Sequence, residues 1–353
     1  MKKKLLSLLL AAGMVMSLVA CGGGDKAADN KAAADDAIKV CVVYSGNLGD
    51  KSYNDSCNIG STKAQEDFGI TLKTLEGVTA DEWKANLLSA CEDGYDLVIC
   101  SSSNFEEYLK EYAPMYPDVK FAIIDTTVEG DNIVSVSFAQ NQGSFLAGAA
   151  AALFTQHAEI EGVNEDAVIG WVGGMDIPVL QDFFVGYEQG AKYINPDITV
   201  LQSFAGAWND PLKGKELTLA QYEQGADIVM NVASGTGPGI LEGAKEAGRY
   251  AIGVDLNQDN DQPGHILTSM VKRVDTACYS VIESVVNGTF EGNSVSYLDV
   301  AAEGVSLTDF AVIKEALGDA FPEDILTQLE EIEAKIISGE IVVENYEGFG
   351  PQK

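Results

Sequence analysis

Basic residues and histidine are scarce in this chain. Its 353 residues hold 22 Lys and Arg against 54 Asp and Glu, a formal net charge of −32. A surface of that sign repels nucleic acid and other polyanions, and it disfavours phosphate-bearing substrates unless a local lysine compensates. Histidine occurs only twice, as His157 and His265, which excludes a His-rich metal site. The cysteines lack any CxxC spacing; Cys41, Cys57, Cys91, Cys100 and Cys278 are an odd set, with room for a disulfide but no deducible pairing. Cys41 and Cys100 fall in apolar strand-like runs and read as small hydrophobes. The hydrophobic content of 46% argues against disorder despite the charge.

Long apolar runs are missing too, apart from one at the start. Lys2, Lys3 and Lys4 precede the sixteen residues "LLSLLLAAGMVMSLVA". A bilayer span needs ~20 residues, so this run suits the core of a signal peptide over 1–20. It ends in "LVAC", which resembles the bacterial lipobox and implies cleavage before Cys21 and a diacylglyceryl group on its sulfur. Two acyl chains hold a protein on a membrane where one is marginal. Removing the three leader lysines leaves 19 basic residues against 54 acidic ones, near −35. Residues 21–37, "CGGGDKAADNKAAADDA", have no apolar period and read as a lipid-anchored flexible tether. The remainder, from Ile38 on, is long enough for two domains.

Strand-like and helix-like runs alternate along that remainder. "IKVCVVY", "DLVIC", "KFAIID", "NIVSVSF", "AVIGWVG", "ITVLQSF", "DIVMNVA", "YAIGVD" and "ILTSMV" are short, apolar and often β-branched, as in strands covered on both faces. Amphipathic segments lie between them, so the pattern predicts α/β architecture with parallel sheets. The halves echo each other: "CEDGYDLVICSSS" and "YEQGADIVMNVASG" share one order of features, and "YPDVKFAII" and "EAGRYAIGVD" follow each about one helix later. Two similarly folded lobes result. Ligands of open α/β sheets bind beyond the carboxyl ends of strands. "NLGDKSYND" (47–55), "CSSSNF", "AGAWNDP", "ASGTGPG" and "GVDLNQD" all sit at such ends and are polar or aromatic.

In order along the chain, "GDKSYN", "GYDLVIC", "YPDVKFAIID", "GSFLAGAAAAL", "VGGMDIPV", "NDPLKGKELTLAQYEQGAD", "SGTGPG", "AIGVD" and "LTSMVKRVD" resemble the basic membrane protein family of substrate-binding lipoproteins, which serve ABC importers of nucleosides. The resemblance implies a type I periplasmic-binding-protein fold: two Rossmann-like lobes with parallel sheets and a ligand cleft between them. It assigns 38–139 plus about 258–290 to the N-terminal lobe and 140–257 plus about 291–353 to the C-terminal lobe. It places Tyr53 and Trp208 on the two faces of a base, and Asp255 and Lys272 on the sugar, where a carboxylate can accept from two hydroxyls at once. Asp50 and Asn54 line the first lobe, although Asp50 equally suits a cap for a helix starting near Tyr53. Ser234 and Gly235 belong to "SGTGPG", whose glycines would let the backbone approach the sugar. The same glycines with Asp255 resemble a dinucleotide fingerprint, but the spacing is short and Pro238 interrupts it.

The family pattern is altered at two positions. Tyr44 stands where a base-binding acid is usual, and Gln142 replaces the acid of "EGSFLAG". Tyr44 is therefore expected to change which heterocycle is accepted, with purine nucleoside as the default and a free base or flavin as alternatives. The implied partners are a nucleoside-like molecule, an ABC permease with its ATPase, and the extracytoplasmic face of a bacterial cell membrane; no nucleic acid and no cofactor are implied. An extracytoplasmic nucleoside-processing enzyme is the weaker alternative, because no nucleophile–base or metal constellation can be named. A sensory lipoprotein would carry the same residues.

Overall fold

The computed structural model describes residues 37–347 and Phe349, so the leader, Cys21 and nearly all of the tether lie outside the described residues. In chain order the strands are β1 Lys39–Val43, β2 Thr71–Leu75, β3 Leu97–Cys100, β4 Lys120–Ile124, β5 Ile133–Phe138, β6 Val168–Gly173, β7 Thr199–Phe204, β8 Ala226–Val232, β9 Tyr250–Asp255, β10 Ile266–Lys272, β11 Ser294–Leu298 and β12 Val305–Leu307. The α-helices are α1 Tyr53–Phe68, α2 Ala80–Glu92, α3 Glu106–Tyr112, α4 Gln140–Phe154, α5 Pro178–Ile194, α6 Pro211–Glu223, α7 Gly237–Ala247, α8 Val274–Val286, α9 Ala311–Leu317 and α10 Asp324–Ile337. Among the described residues, no helix is long and apolar enough to cross a membrane.

The strands form two six-stranded sheets, ordered β11-β5-β4-β3-β1-β2 and β12-β10-β9-β8-β6-β7. Every pairing in the first sheet is parallel, and only β12 runs antiparallel in the second. This is the α/β architecture that strand–helix alternation predicts. The inner strands β3, β8 and β9 are buried along their whole length, which is why they read as near-continuous apolar runs.

The lobe boundaries differ from those expected. Ile266–Lys272 pairs with β9, so the stretch from 258 to 272 stays with the second sheet. The return to the first lobe begins with α8, which packs on α1, and continues into β11, which pairs with β5. The chain thus passes between sheets after Phe138, after Lys272 and after Leu298. An apolar strand pattern states that a segment is buried in a sheet, not which sheet it joins. Here β9 and β10 are parallel neighbours joined by residues 256–265 without an intervening helix, so strand–helix alternation gave no warning.

Local chemistry fixes several elements. Thr79 and Glu82 close a reciprocal capping box at the start of α2. Helices α4 and α5 touch backbone to backbone: a Cβ on Gly148 would lie 2.0 Å from the carbonyl oxygen of Tyr187, and one on Gly190 would lie 1.9 Å from that of Phe145. The run "GSFLAGAAAALF" is therefore a packing surface made of small residues.

Candidate ligand cleft

A cleft of about 910 Å³ opens between the carboxyl ends of the two sheets. From the first lobe it receives the loop after β1 (Ser45 to Asp50), Tyr53 and Asn54 of α1, and Asp125 just past β4. From the second it receives Trp208 after β7, Ser234 and Gly235 after β8, Asp255 at the end of β9 and Lys272 at the end of β10. Several of these residues hold unusual backbone. Asp125, Ser234 and Asp255 have φ of 71°, 48° and 65°, and Lys51 beside the cleft has 53°, all in the left-handed region that non-glycine residues rarely adopt. Such conformations cluster where surrounding structure over-determines them, typically at binding sites.

The floor of the cleft is charged and buried. Lys272 is 1% exposed, and its ammonium lies 2.6 Å from Asp125 Oδ1, off the hydrogen-bonding direction. Three rings flank that ammonium, with centroids 5.5 Å away for Tyr53, 5.0 Å for Phe138 and 5.1 Å for Phe183. The ring faces are negative and help a desolvated cation. Asp255 accepts from the Ser52 hydroxyl. Burial pushes the Asp255 carboxyl up to about 7; Lys272 and the Ser52 bond hold it back, while Asp50 and Asp125 add to the push.

Asp50 has a different job. Its carboxylate accepts from the backbone N–H groups of Ser52 (3.0 Å), Asn54 (2.9 Å) and Asp55 (3.1 Å), so it caps α1 from in front of the helix. It also accepts from Asn54 Nδ2 at 2.9 Å and from Ser234 Oγ at 2.7 Å, the latter across the cleft. Further bridges join the lobes: Gln258 Nε2 donates to the Lys51 carbonyl at 2.9 Å, and Lys51 Nζ lies 3.2 Å from Asp261 Oδ1.

The aromatic residues come from opposite lobes. Tyr53 donates its hydroxyl to the Ser101 carbonyl at 2.5 Å, which fixes its ring. Trp208 lies over Gly174, where a Cβ would come within 2.5 Å of its ring. Gly235 alone of the "SGTGPG" glycines faces the cleft. Gly237 and Gly239 make close contacts inside the second lobe, with Asn231 and with the Pro211 carbonyl.

Asp50, Tyr53, Asn54, Trp208, Ser234, Gly235, Asp255 and Lys272 therefore share one cleft, and Tyr44 does not join them. Tyr44 is fully buried in the core under α1 and α8, and its hydroxyl donates to Asn58 Oδ1 at 3.2 Å. Burial pushes its phenol far up. Strand alternation explains the placement: Val40, Val42 and Tyr44 share one face of β1, while Cys41 and Val43 enter the core on the other side. Sequence reasoning also missed Asp125, together with Trp83, Asn104 and Phe183 on the cleft wall. The signal for Asp125 was present, because "YPDVKFAIID" ends as "EAGRYAIGVD" does.

The model of the Bmp family, described as ABC transporter substrate-binding protein PnrA-like, matches residues 37–347. Basic membrane protein A2 of Borrelia garinii subsp. bavariensis is 31% identical over 322 residues, covering 88% of this chain and 90% of its own length. An uncharacterized lipoprotein of Pyrococcus abyssi is 30% identical, with 97% and 92% covered. The crystal structure of an ABC transporter solute-binding protein from Aeropyrum pernix K1 superposes with a TM-score of 0.81 at 30% identity, covering 87% of this chain and 94% of that one. Two parallel-stranded lobes with the strand ends converging on one cleft, and a family match over nearly all described residues, lead to one assignment: the chain belongs to the Bmp family of PnrA-like ABC transporter substrate-binding proteins.

Proposed function

We propose that this chain captures a nucleoside outside the membrane, held there by lipid on Cys21, and delivers it to an ABC permease. The observation that carries the reading is the combination within one cleft of two aromatic rings from opposite lobes with a buried Asp125–Lys272–Asp255 cluster. A flat heterocycle between Tyr53 and Trp208 gains about 1–3 kcal/mol per ring, by analogy with base–aromatic stacking. Ribose hydroxyls supply donors to Asp255 and Asp125, and Lys272 supplies a donor to a sugar oxygen. The cleft volume falls in the range of about 300–1,000 Å³ usual for small-molecule sites. The lobes turn about the crossings near Phe138, Lys272 and Leu298, and Asp50–Ser234 and Lys51–Asp261 latch them.

A thermal-shift screen of the purified protein against nucleosides, free bases and flavins tests the ligand class, and mass spectrometry of released ligand identifies it. Nucleosides are expected to raise the midpoint most. A larger shift from free bases would remove the sugar from the reading, and conversion of the added nucleoside would replace capture with catalysis. Cys21→Ala is expected to release the protein from membranes or leave it unprocessed; unchanged fractionation with the leader removed would count against the anchor.

A further inference from the structure

We infer that Cys57 of α1 and Cys278 of α8 form a disulfide that staples the two chain segments of the first lobe together. Their sulfur atoms lie 2.9 Å apart and both residues are fully buried. They are 221 positions apart in sequence, with the whole run from β6 to β10 between them. The helices carrying them meet at backbone distance. A Cβ on Gly60 would lie 1.9 Å from the Asp275 carbonyl oxygen, and Ser56 Oγ accepts from the Asp275 N–H at 3.1 Å. Cys57 stands three residues before Gly60 and Cys278 three after Asp275, so the same approach that demands glycine at 60 brings the two thiols face to face. A disulfide requires two Cβ atoms about 3.5–4.5 Å apart, and closing these sulfurs to bonding distance takes less than an ångström of movement from 2.9 Å.

The pairing is selective. Cys41, Cys91 and Cys100 sit in the separate core on the opposite face of the first sheet, away from α1 and α8. In the reaction each thiol loses one proton and one electron, and one S–S bond forms. The two electrons reduce the disulfide of an external oxidant, a small-molecule disulfide or a thiol–disulfide exchange protein, which leaves as two thiols. Because both sulfurs are buried, the reaction belongs to folding, before α8 closes on α1. The persistence of the bond rests on the extracytoplasmic location proposed above; the geometry does not.

The staple has a clear mechanical consequence. Both sulfurs belong to the first lobe, so the bond fixes the lobe that the chain leaves and re-enters, and it leaves the turning of the second lobe free. It closes a loop that contains β2 to β5 of the first sheet and five of the six strands of the second, all but β12.

The test is thiol mapping of the full chain extracted from membranes, with N-ethylmaleimide present from lysis onward, followed by digestion and mass spectrometry. A linked pair of peptides carrying Cys57 and Cys278 is expected, with Cys41, Cys91 and Cys100 alkylated. In a second arm, the reduced protein is refolded from denaturant with oxidised glutathione, and the same pair is expected to link whatever the cellular compartment. Reductant should then lower the thermal midpoint of the wild type by several degrees and leave that of the Cys57→Ser/Cys278→Ser double variant unchanged. Alkylation of all five thiols in the refolded protein would overturn the inference. Linkage in the refolding arm together with recovery of the cellular protein in the cytosol would instead overturn the location.

Discussion

Asp125 and Asp255 occupy corresponding places in the two lobes and differ in what neutralises them. Each stands at the end of the third strand of its sheet, β4 between β5 and β3 in one lobe, β9 between β10 and β8 in the other. Each has a left-handed backbone and is 6% exposed. Asp125 has the Lys272 ammonium at 2.6 Å, whereas the direct partner of Asp255 is the Ser52 hydroxyl. Duplicated backbone has thus been given one cation for two buried carboxylates. Burial makes the second carboxyl hold its proton more tightly, up to about 7, and the shared cation only partly offsets it. A neutral hydroxyl-bearing ligand fits this arrangement, because it brings donors without bringing another charge.

Removing the shared cation breaks the comparison most severely. Lys272→Met leaves both carboxyls buried without a counter-charge, and breaking a buried pair from one side costs about 3–5 kcal/mol. The thermal midpoint is expected to fall, and titration calorimetry at pH 7 should show nucleoside binding weakened by about a hundredfold or more. Binding within tenfold of the wild type would place the Asp125–Lys272 pair outside the ligand's reach.

A pH series sharpens the same comparison. The Asp255 carboxyl titrates near 7 in the folded protein, above its unfolded value of about 4. Between those values the folded protein holds a proton that the unfolded chain has released. The stability from this group is therefore fully present below about pH 4 and is lost as pH rises through about 7. Asp255→Asn should flatten the fall in urea-unfolding stability between pH 4.5 and 7.5, by an amount on the order of a few kcal/mol. Burial also raises Asp182, Asp227 and Asp259, so a residual slope remains in the variant. An identical slope in both proteins would mean that Asp255 is ionised throughout.

The rings repeat the contrast on a smaller scale. Trp208→Ala and Tyr53→Ala should each weaken nucleosides by about 1–3 kcal/mol with little change in their ranking, since stacking accepts any π-face. Only Tyr53→Ala should also lower stability, because Tyr53 both flanks the Lys272 ammonium and bonds the Ser101 carbonyl. Equal thermal midpoints for the two variants would remove that distinction, and unaffected binding in both would remove the sandwich.

The inner strands were legible from sequence because burial on both faces leaves few polar residues to break the apolar run. Three of the four edge strands were not, whereas Thr199–Phe204 was. Thr71–Leu75 and Ser294–Leu298 are part-exposed and mix polar with apolar residues, and Val305–Leu307 is too short to read. Of the residues that share the cleft, Tyr53 opens α1, Trp208 follows β7 and Lys272 ends β10, places where a polar or aromatic residue stands out from the packing pattern. Asp125 was missed although the repeat, followed to its last residue, pairs it with Asp255. Tyr44 was misplaced for the opposite reason: one substitution against a family pattern outweighed the alternation of the strand it ends.

That alternation makes the smallest prediction. Tyr44 shares the face of β1 with Val40 and Val42, and its ring lies in the core with Cys57 and Cys278. Its one polar bond is to Asn58 Oδ1 at 3.2 Å. Tyr44→Phe keeps the ring and loses that bond, so stability should fall by about 1 kcal/mol or less. Affinities for guanosine, adenosine, inosine and uridine should keep their order. Tyr44→Asp is the wrong probe, because it puts a carboxylate into apolar surroundings and damages the first lobe itself. A reordered ligand series in a stably folded Tyr44→Phe variant would mean that the hydroxyl acts on the ligand through Asn58 and α1, and that selectivity reaches beneath the cleft wall into the core.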